Sequence, residues 1–216
     1  MSTQIAIVAF ENMAALDAVG PFEVLAHLPN ASTHWVGLHT GVVRTEEGAG
    51  VGINVDARLE DVPHPDIVVV PGGRGEQQLR DDQRFRQWLL SAHETTTWTT
   101  SVCTGSLLLG AAGLLAGKRA TSHWLALDTL ETFGAEPTLE RVVVDGKIIT
   151  AAGVSSGIDM ALTLAALLQG DFVAQTIQLG IEYDPQPPFD AGSPTKAPAA
   201  AVDLLRSQSR FLLTGA

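Results

Sequence analysis

The stretch TTTWTTSVCTGSLLLG, residues 95–110, decides the fold. Its first half is polar and β-branched, which suits an extended strand, and its second half is Leu-rich and helix-forming. We read residues 96–102 as a buried strand and residues 104–115 as a helix. Cys103 then occupies the sharp turn between them, where Gly105 relieves crowding. The 23 residues from 95 to 117 carry no charge. Their polar first half and the glycines of the second argue for a strand running into a buried helix rather than a membrane span.

Working outward, strands alternate with helices. Residues 4–10 read as a first strand, and residues 16–28 as a helix whose Pro21 must sit in a first turn or at a kink. Residues 33–40 and 52–56 are short strands joined by a Gly-rich, acidic turn around residues 46–50. Residues 67–70, IVVV, form a wholly apolar strand ending on Pro71, Gly72 and Gly73, which permit unusual backbone angles and close approach. An amphipathic helix follows over residues 83–93, and another helix over 124–133. Residues 141–151 read as a hairpin turning at Asp145 and Gly146. Residues 155–168 and 172–183 are apolar helices, followed by a Pro-rich segment, 184–198, and a last helix, 199–213. This pattern predicts one α/β domain over residues 1–216, a mostly parallel sheet sandwiched by helices.

Composition narrows the function. The 216 residues hold 13 Lys plus Arg against 24 Asp plus Glu, a formal charge of −11. Such a surface repels phosphate backbones, so neither nucleic acid nor a membrane is expected as a partner. The first basic residue is Arg44, so no secretory signal is read and a cytoplasmic location is expected. One cysteine cannot close an intramolecular disulfide, which fits a reducing compartment. Gly48, Gly50 and Gly52 imitate part of a dinucleotide fingerprint but precede no helix, and Gly113, Gly117 and Lys118 lack the remaining P-loop residues. The six histidines show no metal-ligand spacing. No metal and no cofactor are therefore expected. His123, beside Trp124, is read as structural.

The chemistry concentrates at the elbow. A thiol between a strand and a helix is aimed at the carboxyl end of the sheet, where the helix N-terminus favours thiolate, so a lowered thiol pKa is expected. The N–H of Thr104 is placed for an oxyanion hole, and Gly73 at a neighbouring strand end is a second backbone donor. Asp17, just past the first strand, can approach Cys103 from the same sheet edge. Shielded from water it would have a raised pKa and could donate a proton. The competing readings are a small inert hydrophobe for Cys103 and a helix cap for Asp17.

With these residues in place, the strand-PGG, ALDAVGPFEVL, SVCTGSLLLGAAGLLAGKRATSHW and AAGVSSGIDMAL segments resemble the DJ-1/PfpI superfamily over almost the whole chain. The resemblance implies a flavodoxin-like fold with a cysteine nucleophile elbow. Asp17 with the Cys103-Thr104 pair is most similar to the branch that hydrates isonitriles to N-substituted formamides without a cofactor. It implies Cys103 as nucleophile, Asp17 as proton donor, Thr104 orienting the site, a small isonitrile as substrate and a homodimer. AAGVSSGID would bring a helix N-terminus nearby without a catalytic role. The chain departs from PfpI-type proteases, which carry histidine where Thr104 stands, and from DJ-1-type proteins, which carry glutamate where Asp17 stands. The alternatives are a glyoxalase-, amidase- or protease-like thiol enzyme, a cysteine redox sensor and a ligand-binding regulator.

Overall fold

The computed structural model describes residues 2–45 and 50–210. The turn expected around residues 46–50 falls almost wholly outside this range, as do Gly48 and positions 211–213 of the expected last helix. The elements are β1 (Thr3–Val8), α1 (Ala15–Leu25), β2 (Ala31–Gly37), β3 (Gly41–Arg44), β4 (Gly52–Val55), β5 (Ala57–Arg58), β6 (Ile67–Val70), α2 (Glu76–Asp81), α3 (Gln83–Thr95), β7 (Trp98–Val102), α4 (Gly105–Ala111), β8 (Arg119–Ala120), β9 (Glu136–Pro137), β10 (Val142–Asp145), β11 (Ile148–Ala151), α5 (Ser156–Gln169), α6 (Asp171–Gly180) and α7 (Ala199–Ser207).

The central sheet runs in the order β10-β11-β7-β6-β1-β2-β5. Every pairing is parallel except β10 with β11, the hairpin expected at Asp145-Gly146. The strands at its centre are apolar because helices cover both faces: Ile5 to Ala9 and Ile67 to Val70 are buried. The amphipathic face of α3 adds Phe85, Trp88, Leu89 and Ala92 to the core, and Asp82 caps it by accepting from the N–H groups of Arg84 and Phe85. The parallel run β11-β7-β6-β1 sends four consecutive carboxyl ends to one edge. The residues after those ends are 152–155, Cys103, Gly72-Gly73 and the segment entering α1.

Several boundaries differ from expectation. α1 stops at Leu25 and holds Pro21 in its interior, beyond the first turn. α4 stops at Ala111, short of residue 115, and the chain turns through Gly113 at φ 81°. The helix expected over residues 124–133 is a 3₁₀ helix, Leu127–Phe133. α2 lies outside the expected elements; five of its six residues are polar, and Leu79 alone makes no apolar period to reveal it.

Candidate active site

Cys103 sits at φ 58°, in the left-handed region that non-glycine residues seldom occupy. Its N–H points to Ala151 and Ala152 carbonyls at the end of β11, and its own carbonyl accepts from the Ser106 and Ser122 hydroxyls. The bend is thus over-determined by four neighbours, which is how a strained conformation persists. Two residues on, a Cβ at Gly105 would come within 2.1 Å of the Val70 carbonyl oxygen, so the elbow packs against β6 only with glycine there.

The thiol is 6% exposed and lines a cleft of about 720 Å³ with Gly73, Thr104, His123, Val154 and Arg210. The N–H groups of Thr104 and Val154 face the sulfur and favour its charged form, and the Asp17 carboxyl interacts with it from the side of α1. Asp17 is fully buried; its Oδ2 accepts from the Gly72 N–H at 2.9 Å, and its Oδ1 has no partner of standard hydrogen-bond geometry. The helix-cap alternative for Asp17 does not apply. Ala14 occupies the N-cap, and the carboxyl reaches across to β6 instead.

Burial pushes the Asp17 carboxyl up to about 7, against the opposing Gly72 hydrogen bond and the interaction with the thiol. The lowered thiol pKa expected at Cys103 is corrected. Burial raises it, and the negative charge of Asp17 raises it further, outweighing the Thr104 and Val154 N–H groups. α4 has only seven residues, a short dipole to set against that desolvation. The two groups form a coupled pair in which the first proton leaves near neutrality and the second is held strongly. The singly charged pair has two proton arrangements, and one is a thiolate facing a protonated carboxyl.

The sequence offers Gly73 as a second backbone donor to an oxyanion. Its N–H donates to Thr104 Oγ1 at 3.0 Å, so the expected oxyanion donor is already engaged. Gly72 and Gly73 act as a clamp: one N–H holds Asp17 and the next holds Thr104. Thr104 contributes its N–H to the sulfur and its hydroxyl to the clamp. Val154 was missed as a site residue. The GVSSG run before α5 announces a turn, but nothing in it announces that the Val154 N–H reaches the thiol.

His123 lines the cleft, yet its Nδ1 accepts from the Leu125 N–H, burial lowers its pKa, and its ring packs against Gly153. Among the described residues no group of histidine, cysteine and carboxylate side chains is arranged to hold a metal ion, and no helix is long and apolar enough to cross a membrane.

The DJ-1/PfpI family model matches residues 3–167. The chain is 45% identical to the isonitrile hydratase of Pseudomonas putida over 97% of this chain and 91% of that protein. Among solved structures, a ThiJ/PfpI family protein from Pseudomonas syringae superposes with a TM-score of 0.92 at 37% identity, covering 96% of this chain and 86% of that one. Drosophila melanogaster DJ-1beta shares the fold at a TM-score of 0.76 and 24% identity, over 84% of this chain and 98% of that one.

Proposed function

The chain belongs to the DJ-1/PfpI family, and on that premise we propose that it is an isonitrile hydratase, converting an isonitrile to an N-substituted formamide with Cys103 as nucleophile and Asp17 as acid and base. The observation that carries this reading is the Asp17 carboxyl, buried against the Cys103 thiol and pushed up to about 7. An isonitrile carbon must take a nucleophile and a proton at the same atom. A thiolate beside a protonated carboxyl supplies both.

The sulfur attacks the terminal carbon of R–NC, forming the S–C bond, and Asp17 protonates that carbon. The product is a thioimidate, R–N=CH–S, with Asp17 left as carboxylate. Asp17 then takes a proton from water as the oxygen adds to the thioimidate carbon, and that proton passes to nitrogen. The tetrahedral adduct collapses: the C–S bond breaks, the hydroxyl proton returns to Asp17, and R–NH–CHO leaves. The Thr104 and Val154 N–H groups stabilise the sulfur when it carries charge, both before attack and as leaving group. No step needs a histidine, which accords with the structural role of His123.

The test is to incubate the protein with cyclohexyl isonitrile and follow N-cyclohexylformamide. Wild type should form it, Cys103→Ala should not, and Asp17→Asn should be slowed by at least about a hundredfold. Undiminished turnover by Cys103→Ala would overturn the mechanism, and no turnover by wild type would overturn the assignment.

A further inference from the structure

We propose that Arg210, carried to the cysteine cleft by the chain after α7, is a positioning residue for the reaction. Its guanidinium fixes the carbonyls of Gly73 and Arg74, and so the Gly72-Gly73 turn whose N–H groups hold Asp17 and Thr104. The catalytic part of this inference rests on the isonitrile reading.

The contacts are specific. Arg210 Nη1 donates to the Arg74 carbonyl at 2.8 Å and Nη2 to the Gly73 carbonyl at 3.0 Å. The same Nη2 lies 3.9 Å from Glu76 Oε1, a carboxylate only 1% exposed, while the Arg210 side chain is 34% exposed. Arg80 approaches the same oxygen at 3.8 Å. Arg210 therefore stands at the rim of the cleft, between a buried acid and two backbone carbonyls separated from it by 136 and 137 positions.

Gly73 is held through its carbonyl twice, by the Glu76 N–H at 3.3 Å and by Arg210. At φ 127° it uses a conformation open essentially to glycine, and glycine has the flattest backbone energy surface of any residue. Its N–H is the donor that holds Thr104 Oγ1, and the preceding N–H holds Asp17. The Arg210 bond to the Gly73 carbonyl narrows further the freedom that would let both drift. Two neighbouring carbonyls match two coplanar N–H groups of a guanidinium, a geometry an ammonium group lacks. The segment is brought there by α7, where Val202 is buried and the Arg206 guanidinium lies 5.9 Å from the centre of the Trp124 ring.

The test compares Arg210→Lys and Arg210→Ala with wild type by thermal melting, kcat and KM on cyclohexyl isonitrile, and the pH midpoint of Cys103 alkylation by iodoacetamide. We expect Arg210→Lys to melt with wild type, to lose about tenfold in kcat with KM little changed and to shift its alkylation midpoint, and Arg210→Ala to regain part of its lost kcat when free guanidinium fills the vacated site. Full kcat in Arg210→Lys, or a loss of kcat with an unmoved alkylation midpoint, overturns the proposal. If Arg210→Ala fails to fold, the lysine variant decides alone. Should wild type turn over no isonitrile, the functional reading falls, and the alkylation arm still decides whether Arg210 positions the thiol pair.

Discussion

The Gly72 N–H donates to Asp17 Oδ2 at 2.9 Å across 55 positions of sequence, and this bond fastens a fully buried carboxyl beside the Cys103 thiol. A single N–H does not offset the loss of hydration, so the carboxyl is held up at about 7 from an ordinary 3.8. Between those values the folded chain binds more protons at this site than the unfolded chain. Stability contributed here is present at low pH and lost as pH rises through about 7, by about 4 kcal/mol at most. Asp17→Asn removes the titration. Its melting temperature, relative to wild type, should therefore climb between about pH 4 and about pH 8. A difference that stays flat across that range would contradict the raised carboxyl.

The same coupling sets the pH dependence of turnover. Attack needs the pair to carry one charge, a state populated as the first proton leaves. The kcat/KM for an isonitrile should rise with pH to a plateau, with an apparent pKa near 7 that belongs to the pair. The second ionisation lies above the ordinary thiol range, so no fall is expected just above neutrality. In Asp17→Asn the limb near 7 should vanish along with most of the rate. Persistence of that limb in the variant would assign it to another group.

Much of this geometry is legible in residue order. The apolar run at Ile67 to Val70 and the β-branched run before Cys103 announce buried parallel strands, and Pro71-Gly72-Gly73 announces a strand end open to close approach. Parallel strands then force Asp17, Gly72 and Cys103 to one edge. What the order does not carry is which backbone group each side chain takes. The Gly73 N–H goes to Thr104 Oγ1 rather than to a substrate oxygen because the elbow brings Thr104 against β6, a tertiary contact between residues 31 apart. The direction of the thiol shift is hidden in the sequence for a related reason. A helix N-terminus is visible in sequence, whereas the near-complete burial of the sulfur and the charge facing it are properties of packing. Arg210 and the Val154 N–H reach the site only through chain crossings with no local signature.

Thr104 has two jobs that substitution can separate. Thr104→Val keeps the shape and the N–H but removes the oxygen that accepts from Gly73, leaving that N–H without its partner at a cost of about 1–3 kcal/mol. Thr104→Ser keeps the oxygen. The valine variant should melt lower and lose at least about tenfold in kcat. The serine variant should stay within about threefold of wild type. Equal loss in both would shift the role from the hydroxyl to the methyl group.

Gly105 supplies a test of the elbow that involves no chemistry. It opens α4, and helix propensity by itself says alanine should be better there by about 1 kcal/mol. The tertiary contact reverses that sign, because a Cβ would lie 2.1 Å from the Val70 carbonyl oxygen and 2.9 Å from that of Pro71. Both are backbone atoms, anchored in and just beyond β6, and cannot swing aside as a flexible side chain would. The strand and the elbow would have to part, and with them the clamp from Gly72-Gly73 to Asp17 and Thr104. Gly105→Ala should lose about 3 kcal/mol or more, read as a large fall in melting temperature or as failure to accumulate. Gly180, which ends α6 with nothing within 4 Å of its added Cβ, is the internal control. There alanine should match or slightly exceed wild type. If Gly105→Ala melted with Gly180→Ala, the close packing of the cysteine elbow on β6 would be wrong, and the placement of the thiol against Asp17 would lose its support.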